Sequence, residues 1–124
     1  MALESQARKS TIPVTVEAAG LGRYPQDIEA AVYFCVLEAL QNIQKYAHAS
    51  RAVVRVQAEN GTIRFEVEDD GQGFDPIAVP RGAGLSNMED RLDALGGGLS
   101  IRSSRGRGTT VTGTLETVAG LVAV

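Results

Sequence analysis

Apolar residues recur at spacings of three and four between residues 26 and 47, a pattern that predicts a long helix. One apolar stripe consists of Val32, Val36, Leu40, Ile43 and Ala47. The opposite side carries Ala31, Phe34 and Cys35, so the N-terminal half is apolar nearly all round. A helix of this kind is expected to be buried rather than to lie on the surface.

Alternating residues predict strands on both sides of this helix. Residues 11–18 alternate β-branched and polar side chains, which indicates a first strand. Residues 51–58 and 62–69 flank Asn60-Gly61, a dipeptide that favours a tight antiparallel hairpin. We therefore expect the long helix to connect the first strand to a hairpin.

The second hairpin strand ends in two adjacent aspartates, whose side chains are predicted to point to opposite faces of the sheet. Asp69 lies on the same face as Ile63 and Val67, so it is predicted to point toward the core. Asp70 is predicted to point away.

A second, shorter helix and two more strands follow. Ser86 and Glu89 have the spacing of a capping box, which predicts that the helix begins near Ser86. Its buried stripe is predicted to be Leu85, Met88, Leu92 and Leu95, and Gly96-Gly97-Gly98 is predicted to end it. Strands are predicted over 99–103 and 109–117, joined by a turn at 105–108. The sum is an α+β fold, a two-layer sandwich of a mostly antiparallel sheet with helices on one face.

Composition limits the classes of function. A chain of 124 residues is expected to be one domain, and 12 basic against 15 acidic residues give no basic footprint for nucleic acid. The single cysteine, Cys35, excludes an internal disulfide and a cysteine-rich zinc site, and it is interpreted as a core residue. No segment has the apolar length of a membrane span or the pattern of a signal peptide. We therefore expect a cytoplasmic domain without direct membrane contact.

The two ends of the chain differ from its middle. Residues 1–10 are polar and aperiodic, and they are predicted to be a flexible leader. Residues 11–117 are predicted to form the domain, and 118–124 an apolar tail.

Three polar residues share one face of the long helix. Glu38, Asn42 and Lys45 follow at steps of four and three, opposite the first apolar stripe. Because unpaired charges are costly on a buried helix, these groups need partners, which a magnesium polyphosphate would supply. The alternative is an exposed charge pair of Glu38 and Lys45.

Three separated motifs resemble those of the ATP-binding domain shared by sensor histidine kinases, DNA gyrase B subunits, Hsp90 chaperones and MutL proteins. EALQNIQKYAHAS resembles the N box, VEDDGQGFDP the first glycine box, and GAGLSNMEDRLDALGGGLSIRSSRGRGTTV the second glycine box with the final strands. The sequences of these motifs are most similar to those of kinases of the NarX, DesK and LiaS type, and the resemblance covers residues 12–115. The resemblance implies a Bergerat-type ATP-binding fold, with ATP between the long helix and the sheet.

The resemblance also implies roles for the polar residues. Asp69 would accept a hydrogen bond from the exocyclic amine of adenine, where guanine presents a carbonyl. Glu38 would polarise the attacking group. Asn42 is the candidate magnesium ligand, because a neutral amide oxygen suits a hard cation, and Lys45 would contact phosphate as a point charge.

Glycines and a threonine complete the predicted site. Gly71 and Gly73 would let the backbone approach the base and ribose, and they could also simply make the turn, since both roles can hold together. Gly82 and Gly84 precede the predicted helix, so amides near Gly84 and Leu85 could meet phosphate oxygens at a helix N terminus. The hydroxyl of Thr109 faces inward, and the resemblance implies a water-bridged contact to the base; a structural strand threonine is the alternative.

Some features do not belong to this site. His48, the lone histidine, lacks the carboxylate that follows the phosphoacceptor in the family, so it is interpreted as a helix-end residue. A basic cluster consists of Arg102, Arg105 and Arg107, interpreted as a solvated loop. The segment 74–81 is short for an ATP lid and resembles the abbreviated lids of the NarX and DesK group.

These observations predict the catalytic domain of a two-component sensor histidine kinase. The domain would bind Mg-ATP and deliver the γ-phosphoryl to a histidine on a separate dimerisation domain, from which it passes to a response regulator. Dimerisation helices with an acceptor histidine are not found in this sequence, so the fragment is not expected to complete phosphotransfer alone. The alternatives are a non-catalytic ATP-dependent interaction module and an anti-sigma-factor serine kinase of the same fold.

Overall fold

The computed structural model describes Leu3 and residues 12–18, 22–73 and 83–117, apart from the side chains of residues 46, 47 and 83. The strands are β1 (Val14–Glu17), β2 (Ala52–Glu59), β3 (Thr62–Asp69), β4 (Gly98–Ser103) and β5 (Thr109–Glu116). The helices are α1 (Gln26–Asn42), which continues into a π-helical turn (Ile43–Ala47), and α2 (Ala83–Asp93). Leu3 is buried in the core, and the other residues of 1–10 lie outside the described ranges.

The five strands form one mixed sheet in the order β1-β2-β3-β5-β4. β1 and β2 are parallel, which requires the crossover that α1 provides, and the other neighbouring pairs are antiparallel. The predicted two-layer α+β architecture is confirmed.

β1 is shorter than the predicted span of 11–18. Its register with β2 covers Val14 to Glu17 only, and the amide of Ala52 donates to the carbonyl of Pro13 at 3.0 Å. Because Pro13 has no N–H, it cannot extend the ladder as a donor.

Helix α1 is buried on two sides, as its composition predicts. The predicted stripe residues Val32, Val36, Leu40 and Ile43 are buried, whereas the side chain of Ala47 lies outside the description. On the other side, Cys35 is fully buried, with its Sγ 3.9 Å from the carbonyl oxygen of Met88 in α2. The guanidinium of Arg91 lies over the Phe34 ring at 4.1 Å from the centroid. These contacts hold α2 against α1.

Helix α2 begins at Ala83 rather than near Ser86, so the predicted capping box is wrong. Ser86 lies inside the first turn, where it is exposed. The predicted end is confirmed: Gly97 donates to the carbonyl of Leu92 at 2.8 Å, and Gly96, at φ 76°, donates to that of Asp93 at 3.0 Å. This pair of bonds is a Schellman motif.

The hairpin formed by β2 and β3 turns at Asn60 and Gly61, as predicted from the sequence. Asn60 and Gly61 have φ values of 53° and 78°, as a type I′ turn requires.

Farther along β3, the ring of the buried Phe65 lies over Gly113, its register partner in β5. A Cβ on Gly113 would lie 2.1 Å from Phe65 Cζ. The packing of the Phe65 ring therefore requires a glycine, without a Cβ, at position 113.

Asp70 anchors the loop that leads from α1 into β2. Its carboxylate accepts hydrogen bonds from the amides of Ser50, at 2.8 Å, and Arg51, at 3.0 Å, and from the Ser50 hydroxyl. These bonds, the Ser50 hydroxyl first, lower the pKa of Asp70 to about 2. Asp70 points away from the core, as predicted, but its contacts with this loop were not predicted.

We expect Gly113→Ala to lower the free energy of unfolding by about 1–3 kcal/mol, because the new methyl group overpacks the site against Phe65. Gly98→Ala is the matched control, since Gly98 is also in a strand but nothing lies within 4 Å of its added Cβ. Chemical denaturation of both variants measures the difference. Equal losses would contradict the packing of Phe65 over Gly113.

We expect Asp70→Asn to lower stability at neutral pH, because the ionised carboxylate holds the Ser50 loop. The pKa is lower in the folded chain than the ordinary 3.8, so this contribution is complete above about pH 4 and is lost as the pH falls toward 2. Denaturation at several pH values should show the wild-type advantage shrinking over that window. The exposed Asp90→Asn is the control, and a difference independent of pH would contradict the assignment.

Candidate functional site

Glu38 and Asn42 meet the first turn of α2. They lie one turn apart on α1, and both side chains are half-buried. A Cβ on Gly84 would lie 3.1 Å from Glu38 Oε2 and 3.2 Å from Asn42 Nδ2. The structure therefore brings together three predicted site residues from two helices, and the missing side chain of Gly84 permits their approach.

The start of α2 supplies backbone donors next to these side chains. Gly84 and Leu85 are within the first turn of the helix. Amides of a first turn have no acceptor within their own helix, and the helix dipole favours an anion there. The predicted role of Gly84 and Leu85 thus fits a helix that begins at Ala83. Gly82 and the predicted lid at 74–81 lie outside the described residues.

Lys45 lies on the π-helical turn beyond Asn42, and it is exposed. A π turn is wider than an α turn, so the spacing that placed Lys45 on one face with Glu38 and Asn42 does not hold through this segment. His48 follows this turn with φ 51° and ψ 41° and ends the helix, which confirms its interpretation as a helix-end residue.

Asp69 forms a second polar centre at the end of β3, buried as predicted. Burial raises the pKa of its carboxyl, and the charge of Asp70 adds to this shift. Hydrogen bonds from the backbone amides of Gly71, at 2.7 Å, and Thr109 oppose it. A carboxylate has about four acceptor positions, so two amides leave it able to accept from a ligand.

The glycines after Asp69 pack against the turn between β4 and β5. Gly73 has φ 63°, and a Cβ on it would lie 2.1 Å from the carbonyl oxygen of Ser104. A Cβ on Gly108 would lie 2.1 Å from the carbonyl oxygen of Asp69, and the Gly106 amide donates to Gln72 at 2.6 Å. The alternative that Gly73 makes the turn is therefore supported, and Gly71 is buried beside it.

Thr109 is the register partner of Asp69, and it is half-buried on the inward face of β5. Its hydroxyl lies 2.8 Å from Ser103 Oγ, which also donates to the Gly108 carbonyl at 3.1 Å. Sequence reasoning did not identify Ser103. The signal was its position in β4, directly across the turn from Thr109.

Other chemically reactive groups in the described ranges lie outside this arrangement. Burial raises the pKa of the Cys35 thiol to about 12, so the thiol stays protonated and acts as a core side chain. The predicted basic cluster at Arg102, Arg105 and Arg107 is exposed. In the described part of the chain, His, Cys, Asp and Glu side chains form no group of three that could hold a metal ion. Neither described helix combines the length and apolar character needed to cross a membrane.

Comparisons with solved structures agree with this fold. The blue-light activated histidine kinase of Erythrobacter litoralis EL346 superposes with a TM-score of 0.81 at 24% identity, over 96% of this chain and 42% of that one. The mycobacterial sensor histidine kinase MprB superposes with a TM-score of 0.68 at 22% identity, over 93% of this chain and 89% of that one.

Two curated proteins are similar in sequence. The signal transduction histidine-protein kinase/phosphatase DegS of Brevibacillus brevis is 37% identical over 90 residues, which are 72% of this chain and 23% of that protein. The sensor histidine kinase MctS of Rhizobium johnstonii is 34% identical over 111 residues, or 86% of this chain and 24% of that protein. The chain thus spans about a quarter of the length of these relatives.

The family model of histidine kinase-, DNA gyrase B- and HSP90-like ATPases matches residues 27–119. That range runs from the first turn of α1 through β5 and includes Glu38, Asn42, Gly84, Asp69 and Thr109. The chain therefore belongs to this ATPase family.

Proposed function

We propose that this chain binds Mg-ATP and supplies the γ-phosphoryl group to a histidine on a separate dimerisation domain of its parent protein. The observation that carries the proposal is the pairing of a buried acceptor, Asp69, with a polar helix junction at Glu38, Asn42 and Gly84. The first suits a base and the second suits a polyphosphate. DegS and MctS, which resemble the chain, are histidine kinases by name.

At the base end, Asp69 accepts a hydrogen bond from the exocyclic amine of adenine. Guanine presents a carbonyl at that position, which would leave two acceptors facing each other. Because an unsatisfied buried polar group is costly, the site discriminates against guanine. The buried Gly71 lies beside the carboxylate, to which its amide donates at 2.7 Å, and we propose that its lack of a Cβ lets the base approach.

At the phosphate end, the amides of Gly84 and Leu85 bind phosphate oxygens at the N terminus of α2. Asn42 would hold magnesium through its amide oxygen, a neutral ligand that suits this hard cation. Lys45 adds positive charge from the π-helical turn. When bound, magnesium neutralises charge on the phosphates during transfer.

We propose that Glu38 accepts a hydrogen bond from the attacking imidazole. Its carboxylate is beside Gly84 at the start of α2, the place assigned to the phosphates. We infer that Glu38 orients and polarises the acceptor histidine, which a separate helical domain supplies. The phosphoryl group then passes to an aspartate of a response regulator, and we place the domain in the cytoplasm as part of a two-component system.

We expect the chain to bind ATP in preference to GTP, and Asp69→Asn to weaken ATP binding by about tenfold or more, the value of a hydrogen bond to a charged group. Calorimetric titration with and without magnesium measures this. Asp70→Asn is the matched control, since the neighbouring carboxylate points away from the site and should not affect ATP affinity.

The stability of the Asp69→Asn variant distinguishes a loss of ATP binding from a loss of folding. The pKa of Asp69 is raised in the folded chain, so its ionisation lowers stability as the pH rises from the ordinary 3.8 through the raised value. Asp69→Asn removes that ionisation and should keep or raise stability at neutral pH. A folded wild-type chain that bound no ATP would contradict the proposal.

We expect Glu38→Gln to keep ATP affinity within a few-fold but to reduce phosphotransfer by about a hundredfold or more, the usual contribution of a general base. The assay joins the chain to the acceptor-histidine domain of a DegS-like relative and follows radiolabel from the γ-phosphate. Glu29→Gln, at the opposite end of α1, is the control. Transfer to a protein serine would favour the serine-kinase alternative, and binding without transfer would favour the interaction module.

A further inference from the structure

Three polar side chains form one row across the sheet at the end of β3 where Asp69 lies. Asp69 of β3 pairs with Thr109 of β5, and Thr109 pairs with Ser103 of β4. Gly108 holds the start of β5 against the backbone of Asp69, where a Cβ would lie 2.1 Å from the Asp69 carbonyl oxygen. Ser103 is therefore fixed on the far side of Thr109 from the carboxylate.

One arrangement of the hydroxyl protons makes the contacts of Ser103 Oγ with Gly108 and with Thr109 both hydrogen bonds. Ser103 Oγ lies 3.1 Å from the carbonyl oxygen of Gly108, which can only accept, and 2.8 Å from Thr109 Oγ1. A serine hydroxyl has a single proton. Both contacts are hydrogen bonds only if Ser103 donates to Gly108 and Thr109 donates to Ser103. The Thr109 hydroxyl then has lone pairs, and no proton, available for a further hydrogen bond.

We propose that Ser103 is a positioning residue that holds the Thr109 hydroxyl as an acceptor toward the base, and so contributes to the selection of adenine over guanine. The inference rests on the proposed function of the site. Asp69 and Thr109 together would offer two adjacent acceptors, directly or through a water. The two N–H groups of the adenine amine satisfy them, whereas the guanine carbonyl does not. Ser103 acts only through Thr109.

The test is calorimetric titration of ATP and GTP against the chain and its variants. Ser103→Ala should raise the Kd for ATP about three- to tenfold, as expected for one hydrogen bond, and lower the preference for ATP over GTP by a similar factor. Removing the Ser103 acceptor frees the Thr109 proton to meet a guanine carbonyl. Ser103→Thr keeps the hydroxyl and should restore the wild-type preference. Ser100→Ala, on the exposed face of the same strand, is the matched control.

A double-mutant cycle separates positioning from a general structural effect. If Ser103 acts through Thr109, Ser103→Ala should change the ATP affinity in the wild-type chain but not in a Thr109→Val background. An equal effect of Ser103→Ala on ATP affinity in both backgrounds would overturn the inference. So would a Ser103→Ala variant that loses thermal stability but keeps the wild-type ratio of ATP affinity to GTP affinity. A folded wild-type chain that binds no ATP overturns the proposed function and this inference together, whereas wild-type binding with an unchanged Ser103→Ala ratio overturns the inference alone.

Discussion

A carboxylate buried at the end of a central strand must receive hydrogen bonds, and the candidate site is organised around that requirement at Asp69. The amides that donate to it come from the following loop, at Gly71, and from the neighbouring strand, at Thr109. Both segments must therefore approach closely, and Gly108 lacks the Cβ that would prevent this. Burial still raises the pKa, so the charge is only partly compensated. The remaining acceptor capacity is what a ligand amine can use.

The second centre depends on helix packing rather than on the sheet. Because α1 is buried on two sides, its contacts with the sheet and with α2 fix how the helix is rotated about its axis. Glu38 and Asn42 lie farther along the side that faces α2, where Gly84 meets them. Functional groups on rigid elements are held more precisely than groups on loops. The centre proposed to bind the base therefore lies on strand ends, and the centre proposed to bind phosphate lies on two packed helices.

The features that the sequence predicted well are those set by local chemistry. The Asn60-Gly61 turn requires positive φ at both positions, and strand parity alone places Asp69 inward. The start of α2 could not be predicted in this way, because Ser86 and Glu89 matched a capping box while the contacts of Gly84 are with α1. The π-helical turn at Lys45 has no local signal either. The partners of Asp70, Ser50 and Arg51, are 20 and 19 residues away in the chain.

Asp69 and Asp70 show why residue type does not determine role. The strand pleat sends adjacent carboxylates to opposite sides. Asp70 reaches a loop with several donors, so its pKa falls and its ionisation stabilises the fold. Asp69 enters an apolar layer, so its pKa rises and its ionisation opposes folding. Unlike Asn, which has one acceptor oxygen and a donor NH2, the Asp69 carboxylate offers acceptor positions on both oxygens. The buried position of Asp69 and its spare acceptor positions, rather than the pKa shift alone, therefore support the proposed contact with a donor from a ligand.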